Sequence, residues 1–135
     1  MKNVAGFVYF ILLFLFCIHL DSCKHDPDYH LFLIKVDSIQ VPKTIASGIP
    51  FDITFFGTIG TNGCYSFSHF NQTLTGNEIM IEAWGKVEAK AFICPTVMVY
   101  LNGHKATVTI QTPGLYVLKI KQPGNTYLER QITIN

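Results

Sequence analysis

The sequence has little net charge and no cluster of basic residues. The 135 residues include ten lysines and arginines and nine aspartates and glutamates, which gives a net charge of +1 at pH 7. A nucleic-acid-binding surface needs a concentrated positive patch, so we expect no nucleic-acid partner. The apolar content of 49% argues against a disordered chain, and the length allows a single domain.

The chain also lacks the motifs that accompany catalysis or cofactor binding. It has no glycine-rich phosphate loop, no Gly-x-Ser-x-Gly elbow and no Cys-x-x-Cys pair. Its carboxylates are scattered, although two that faced each other across a cleft would permit glycoside hydrolysis. We therefore predict that the protein is not an enzyme and that it needs no cofactor and no metal. A small hydrolase is the least favoured alternative.

Only one apolar run is long enough to matter for a membrane, and it lies at the start of the chain. Met1-Lys2-Asn3 is positively charged, and residues 4–20 are almost unbroken apolar sequence. Residues 1–22 hold 16 apolar residues, and the other 113 residues hold 50, about 44%, which is ordinary for a globular domain. A charged start followed by an apolar segment predicts an export signal.

The end of this run carries a resemblance to bacterial lipoproteins. Leu20-Asp21-Ser22-Cys23 resembles a lipobox, with leucine three residues before the cysteine and a small residue just before it. The resemblance implies cleavage before Cys23 and acylation of Cys23, and two or more acyl chains give stable anchoring. Residues 1–22 are then a lipoprotein signal peptide, 23–30 a flexible tether and 31–135 the folded domain. An uncleaved anchor helix with an incidental Cys23 is the alternative.

The remaining cysteines predict a disulfide bond. Cys17 lies in the apolar run and Cys23 is the proposed acylation site, so Cys64 and Cys94 are the even pair left in an exported domain. Exported proteins occupy compartments where disulfides persist, which favours a Cys64–Cys94 bridge over two free buried thiols.

The domain itself has the residue composition and the regularly spaced turn signals of a β-protein. Valine, isoleucine and threonine make up 32 of the 113 residues after position 22. Turn signals recur at about 8–12 residues, which is typical of a sandwich or a barrel. We predict a first strand over residues 31–41, a connection over 85–90 and a hairpin at Asn102-Gly103. About seven strands result, and they favour an all-β, immunoglobulin-like (Ig-like) antiparallel β-sandwich.

The segment Pro113-Gly114-Leu115-Tyr116-Val117-Leu118-Lys119-Ile120 resembles the penultimate strand of many bacterial Ig-like domains. The resemblance implies that Tyr116 forms a tyrosine corner, with its hydroxyl bonded back to the preceding backbone. Together with the lipobox, it makes the chain similar to small Ig-like lipoproteins of the Bacteroidota type. That resemblance implies a lipid-anchored location in the bacterial cell envelope, on the periplasmic or the surface-exposed side of the outer membrane.

Two aromatic residues are candidates for a partner-binding surface. Trp84 is predicted to share a strand face with Glu82, opposite Ile81, and Tyr100 lies on a later strand. An exposed aromatic side chain would stack on a sugar or anchor a protein partner, although Trp84 packed against residues 85–90 is the plainer interpretation. We expect a binding or accessory module for an unknown protein or glycan. A structural subunit of a surface assembly is the alternative.

Overall fold

The structure is a computed structural model that describes residues 28–91 and 93–135 as two packed β-sheets. The proposed signal peptide, Cys23 and residues 24–27 of the proposed tether lie outside the described residues. The described strands, in chain order, are β1 (Tyr29–Leu33), β2 (Val36–Gln40), β3 (Thr44–Ile45), β4 (Phe51–Gly60), β5 (Tyr65–Thr75), β6 (Glu78–Glu88), β7 (Val99–Tyr100), β8 (His104–Val108), β9 (Gly114–Gln122) and β10 (Thr126–Ile134). The predicted all-β sandwich is therefore confirmed.

β6 is the central strand of the larger sheet and pairs with three neighbours. β5 follows it in a long hairpin on one side. On the other side, β9 pairs with the first part of β6 and β1 with the last part. β10 then pairs with β9, and β3 pairs with β10. The β6–β9 and β3–β10 pairs are parallel, so the sheet is mixed, whereas the sequence suggested antiparallel pairing throughout.

β4 is the central strand of the smaller sheet. β2 pairs with one side of β4, and β7 and β8 pair with the other side. Alternate residues of β4 point into the sandwich, and Phe51, Ile53 and Phe55 are buried there. The facing residues of β6 and β9 are buried in the same cluster, which is a two-layer core built from period-two alternation.

The Asn102-Gly103 hairpin prediction is wrong. β7 and β8 both pair with β4 instead of with each other, so together they form one interrupted edge strand. A His104 N–Leu101 O hydrogen bond of 3.0 Å closes the interruption, and Gly103 has a φ of +86°. Asn102 does not adopt the left-handed conformation that a type I′ turn requires. Its side-chain oxygen instead accepts a hydrogen bond from Gly57 N, at 3.3 Å.

The strand predicted over residues 31–41 is divided between the two sheets. β1 belongs to the larger sheet and β2 to the smaller one, and buried Ile34 and Val36 mark the crossing between them. β1 begins at Tyr29, so the first strand starts within the segment assigned to the tether. The alternation of apolar residues does not distinguish one long strand from two short strands that change sheets.

The connection predicted over residues 85–90 is also largely strand. β6 continues through Gly85 to Glu88 and pairs with β1 and β5 over this stretch. Gly85 permits the pairing because Phe32 of β1 packs directly over it. A Cβ atom at position 85 would lie 2.5 Å from the Phe32 ring. Glycine here marks a close approach of a side chain to the backbone and does not end the strand.

A disulfide bond and a tyrosine hydrogen bond agree with the predictions made from the sequence. Cys64 and Cys94 form a disulfide bond with a Cα–Cα distance of 5.2 Å, which confirms the predicted bridge. The Tyr116 side chain is buried, and its hydroxyl donates a hydrogen bond of 3.0 Å to the Thr112 carbonyl oxygen. Tyr116 therefore has the expected corner geometry, which connects β9 to the turn before it.

Candidate functional site

Trp84 lies on the outer face of the larger sheet, the face turned away from β4. It is half-buried, and its neighbours along β6 on that face include Glu82, as the sequence predicted. His69 of β5 sits in register with Trp84, and the two rings are nearly parallel, with centroids 6.4 Å apart and 12° between their planes. Trp84 is thus part of a surface that extends over several strands.

A bulge in β5 places His69 on this face. Tyr65 and Phe67 point toward the core, so strict alternation would send His69 inward as well. The register of β5 shifts between Phe67 and His69, which turns His69 outward and Phe70 inward. One additional residue in a strand reverses the facing of every later residue, which is how β-bulges redirect side chains.

Glu82 is the polar centre of the surface. Its Oε2 atom accepts hydrogen bonds from Trp84 Nε1 at 3.0 Å and from Asn71 Nδ2 at 3.5 Å. Its Oε1 atom accepts one from Lys121 Nζ of β9, at 2.7 Å. One carboxylate therefore orients an indole, an amide and an ammonium group from three adjacent strands.

An open recess lies beside this carboxylate, across β5, β6, β9 and β10. Its volume is about 500 Å³. Its lining includes Asn71, Thr73, Met80, Glu82, Lys121 and Tyr127. We call the recess lining, together with Trp84 and His69, the Trp84 face. The lining combines a thioether and an aromatic ring with amide, hydroxyl, carboxylate and ammonium groups.

Hydrogen bonding keeps the central pair ionised. The hydrogen bond from Lys121 is the main cause that lowers the pKa of Glu82 below its ordinary value of 4.5, and those from Trp84 and Asn71 act in the same direction. The pKa of Lys121 is raised, first by its hydrogen bond to Glu82. Both groups are therefore charged at neutral pH.

This pairing predicts an acid-dependent loss of stability. A carboxylate with a depressed folded-state pKa contributes stability above its ordinary pKa of 4.5, and that contribution disappears as the pH falls through the folded-state value. We expect Glu82→Gln to be less stable than the parent at pH 7 and to approach it under acid conditions, as measured by urea unfolding at several pH values. Glu88→Gln removes a carboxylate from the same strand and is the control. A stability gap for Glu82→Gln that stayed constant with pH would contradict the assignment.

Tyr100 does not belong to the Trp84 face. It pairs with Thr58 of β4 in the smaller sheet, and its side chain is exposed next to fully buried Leu101. The outer faces of the two sheets point in opposite directions, so the two aromatic candidates do not form one surface. Alternation along the strand predicted the face that Trp84 shares with Glu82, but the sequence did not indicate which sheet would carry each aromatic residue.

The residues that complete the Trp84 face were not singled out by the sequence. His69 and Asn71 lie on β5, the other arm of the hairpin with β6, and Tyr127 lies on β10, far along the chain from Trp84. Lys121 of β9 was not singled out either, and the parallel β6–β9 pairing places it beside Glu82. The opposite charges of Glu82 and Lys121, on alternating strand positions, were the available signal. Strand order was needed to interpret it.

The described carboxylates show how charge is distributed around this face. Lys119 Nζ lies 2.6 Å from Glu78 Oε1 and 4.0 Å from Glu129 Oε1, next to the Glu82–Lys121 pair. Within residues 28–91 and 93–135, no group of three or more histidine, cysteine or acidic side chains is arranged to hold a metal ion. The Trp84 face therefore offers paired charges and neutral polar groups for recognition.

The described part of the chain has no helix long and apolar enough to cross a membrane. Known proteins supply no further guide to the Trp84 face, because no family model, curated protein or solved structure matches this chain.

Proposed function

We propose that this protein is a lipid-anchored bacterial envelope protein that binds a glycan through the Trp84 face. The observation that carries the proposal is the arrangement around Glu82, where one ionised carboxylate fixes Trp84, Asn71 and Lys121 next to an open recess. These contacts pre-organise the face, which reduces the entropy lost when a ligand binds.

The chemistry of the face suits sugars. A sugar ring presents apolar C–H groups on its faces and hydroxyl groups around its edge. Trp84 offers an aromatic ring, and Asn71, Thr73 and Tyr127 offer groups that both donate and accept hydrogen bonds. The recess is open and crosses four strands, so a chain of several sugar units has room to lie along it.

The test compares two aromatic residues on opposite outer faces. We expect Trp84→Ala to weaken binding to its best ligand on an array of bacterial and host glycans by about tenfold, because an aromatic contact contributes on the order of 1 kcal/mol beyond its buried area. Tyr100→Ala is the matched control and should bind like the parent. Affinity is measured by calorimetry on the purified full-length protein.

The outcomes separate the possible partners. Equal glycan affinity for the parent and Trp84→Ala would refute the assignment to this face. Loss of a co-purifying protein in Trp84→Ala, with no glycan bound by the parent, would identify a protein partner in place of a glycan. Thermal melting of both variants confirms that each is folded.

The lipid anchor is a separate part of the proposal, and the lipobox of residues 20–23 supports it. We expect Cys23→Ala to abolish incorporation of a palmitate analogue in a bacterial host, because the modified sulfur is removed. Cys17→Ala, six residues earlier in the same apolar run, should still be labelled. Labelling that persisted in Cys23→Ala would disprove acylation at this residue and favour an uncleaved anchor helix.

An Ig-like type for the sandwich is also part of the proposal. The Tyr116–Thr112 hydrogen bond supports it, as does the pairing of β4 with β2 and β8 on its two sides. The parallel β6–β9 pair is a departure from the usual antiparallel arrangement of such domains.

A structural role in a surface assembly is the second candidate, and β5 is the observation that favours it. β5 is eleven residues long, carries no acidic residue, lysine, arginine or proline, and pairs only with β6 among the described residues. The bulge between Phe67 and His69 protects the first part of this edge, but the rest of β5 has no such protection and is a template for strand addition. Ordered filaments of the purified lipidated protein in electron micrographs would favour this role over glycan binding.

A further inference from the structure

The segment around Cys94 carries exposed apolar side chains and no charged residue. Residues 93–98, which we call the apolar loop, read Ile-Cys-Pro-Thr-Val-Met. Ile93 is 86% exposed, Val97 54% and Met98 44%. Leaving these side chains in water forgoes the free energy that their burial would contribute, so their exposure calls for an explanation.

The apolar loop is braced against the body of the domain. Cys94 is bonded to Cys64, and Gly63 N donates a hydrogen bond of 2.8 Å to the Pro95 carbonyl oxygen. Val97 N bonds to the same carbonyl at 2.9 Å. These contacts hold the loop in place, so its apolar side chains are presented on a fixed support.

The same end of the sandwich receives the chain from the proposed anchor. Ala89 N donates a hydrogen bond of 2.7 Å to the Asp28 carbonyl oxygen, and Glu88 N donates one of 3.2 Å to the Cys64 carbonyl oxygen. Asp28 is thus joined through the end of β6 to the disulfide that holds the apolar loop. Asp28 lies five positions after Cys23, and five steps of a fully extended chain span at most about 18 Å.

We infer that the apolar loop rests in the lipid surface of the membrane that holds the Cys23 acyl chains. The inference rests on the proposed anchor, because the short reach from Cys23 to Asp28 brings this end of the domain to the bilayer. The aliphatic and thioether side chains of Ile93, Val97 and Met98 enter the boundary between headgroups and acyl chains. The acyl chains and the loop then form two contacts that fix the orientation of the domain on the membrane.

The test places a tryptophan probe at each end of the sandwich. Ile93→Trp and Ile49→Trp are made in a Trp84→Phe background, and the lipidated proteins are reconstituted in phosphatidylcholine vesicles with brominated acyl chains. Ile49 is a matched control because it is 57% exposed and precedes β4 at the end of the sandwich away from the loop. We expect bromine to quench the emission of Ile93→Trp and to leave that of Ile49→Trp unchanged. Adding Val97→Asp and Met98→Asp should remove the quenching.

Flotation of the vesicles tests the lipid anchor separately from the membrane contact of the apolar loop. Protein that floats with the vesicles, with equal emission from both probes, would overturn the membrane contact and leave the anchor intact. Protein that fails to float would overturn the anchor and, with it, the contact that depends on it. An Ile93→Trp emission shift that grew with protein concentration in detergent, without bromine quenching, would assign the loop to a second copy of the chain.

Discussion

Loss of the Cys64–Cys94 disulfide is expected to lower the free energy of unfolding by about 3–4 kcal/mol. The bond closes a loop of 30 residues between the start of β5 and the segment before β7, and that closure restricts the unfolded chain. For a domain of this size the loss corresponds to a fall in melting temperature of about 10–20 °C. Urea unfolding and calorimetry of the Cys64→Ser/Cys94→Ser variant measure both quantities.

The parent protein supplies the control for that experiment. Under strong reducing conditions it should unfold at the same urea concentration as the double variant, since both then lack the cross-link. The double variant itself should not respond to the reducing agent. A double variant as stable as the oxidised parent would show that the cross-link contributes little to stability.

Phe55→Ala is expected to destabilise the protein by about 3–5 kcal/mol, through lost apolar burial and a cavity in the core. Phe55 is fully buried, and its ring centroid lies 4.6 Å from that of Phe70 on the opposing sheet. It also sits where β2 and β8 both pair with β4, so the surrounding backbone has little freedom to close the cavity.

Phe56→Ala is a matched control for Phe55→Ala because the two residues are adjacent in β4 and point to opposite faces. Phe56 is only half-buried on the outer face, so its truncation should have a smaller effect than that of Phe55. Urea unfolding of the two variants gives the comparison. Equal losses would mean that the outer face of the smaller sheet is as tightly packed as the core.

The sequence predicted features that depend on the alternation of residues along one strand, or for which few residues were available, as with the cysteine pairing. The face that Trp84 shares with Glu82 followed from the period of two along β6, and only one cysteine pair remained once Cys17 and Cys23 were set aside. Tyr116 was identified by its resemblance to a known strand motif, and its hydroxyl has the bond that the motif implies.

Features that depend on strand order were not predicted. Asn102-Gly103 has the residue types of a tight hairpin, but pairing of both flanking segments with β4 outweighed that local preference. The assembly of the Trp84 face depends on the β5 bulge and on the parallel register of β6 and β9. Neither leaves a periodic signal in the sequence, because the bulge interrupts the alternation of β5 and the β6–β9 register arises from contacts between distant segments.

The pairing of β1 and β3 has a consequence for how the domain would fold on the proposed export route. Tyr29 pairs with Glu88, and Ile45 pairs with Ile134 near the end of the chain. On this route β1 and β3 therefore have no partners until the much later strands β6 and β10 have emerged. Folding that depends on such distant contacts is slow, because the entropy of closing long loops is lost before the contacts form. The nascent domain should consequently remain a target for proteases and chaperones until β10 has emerged.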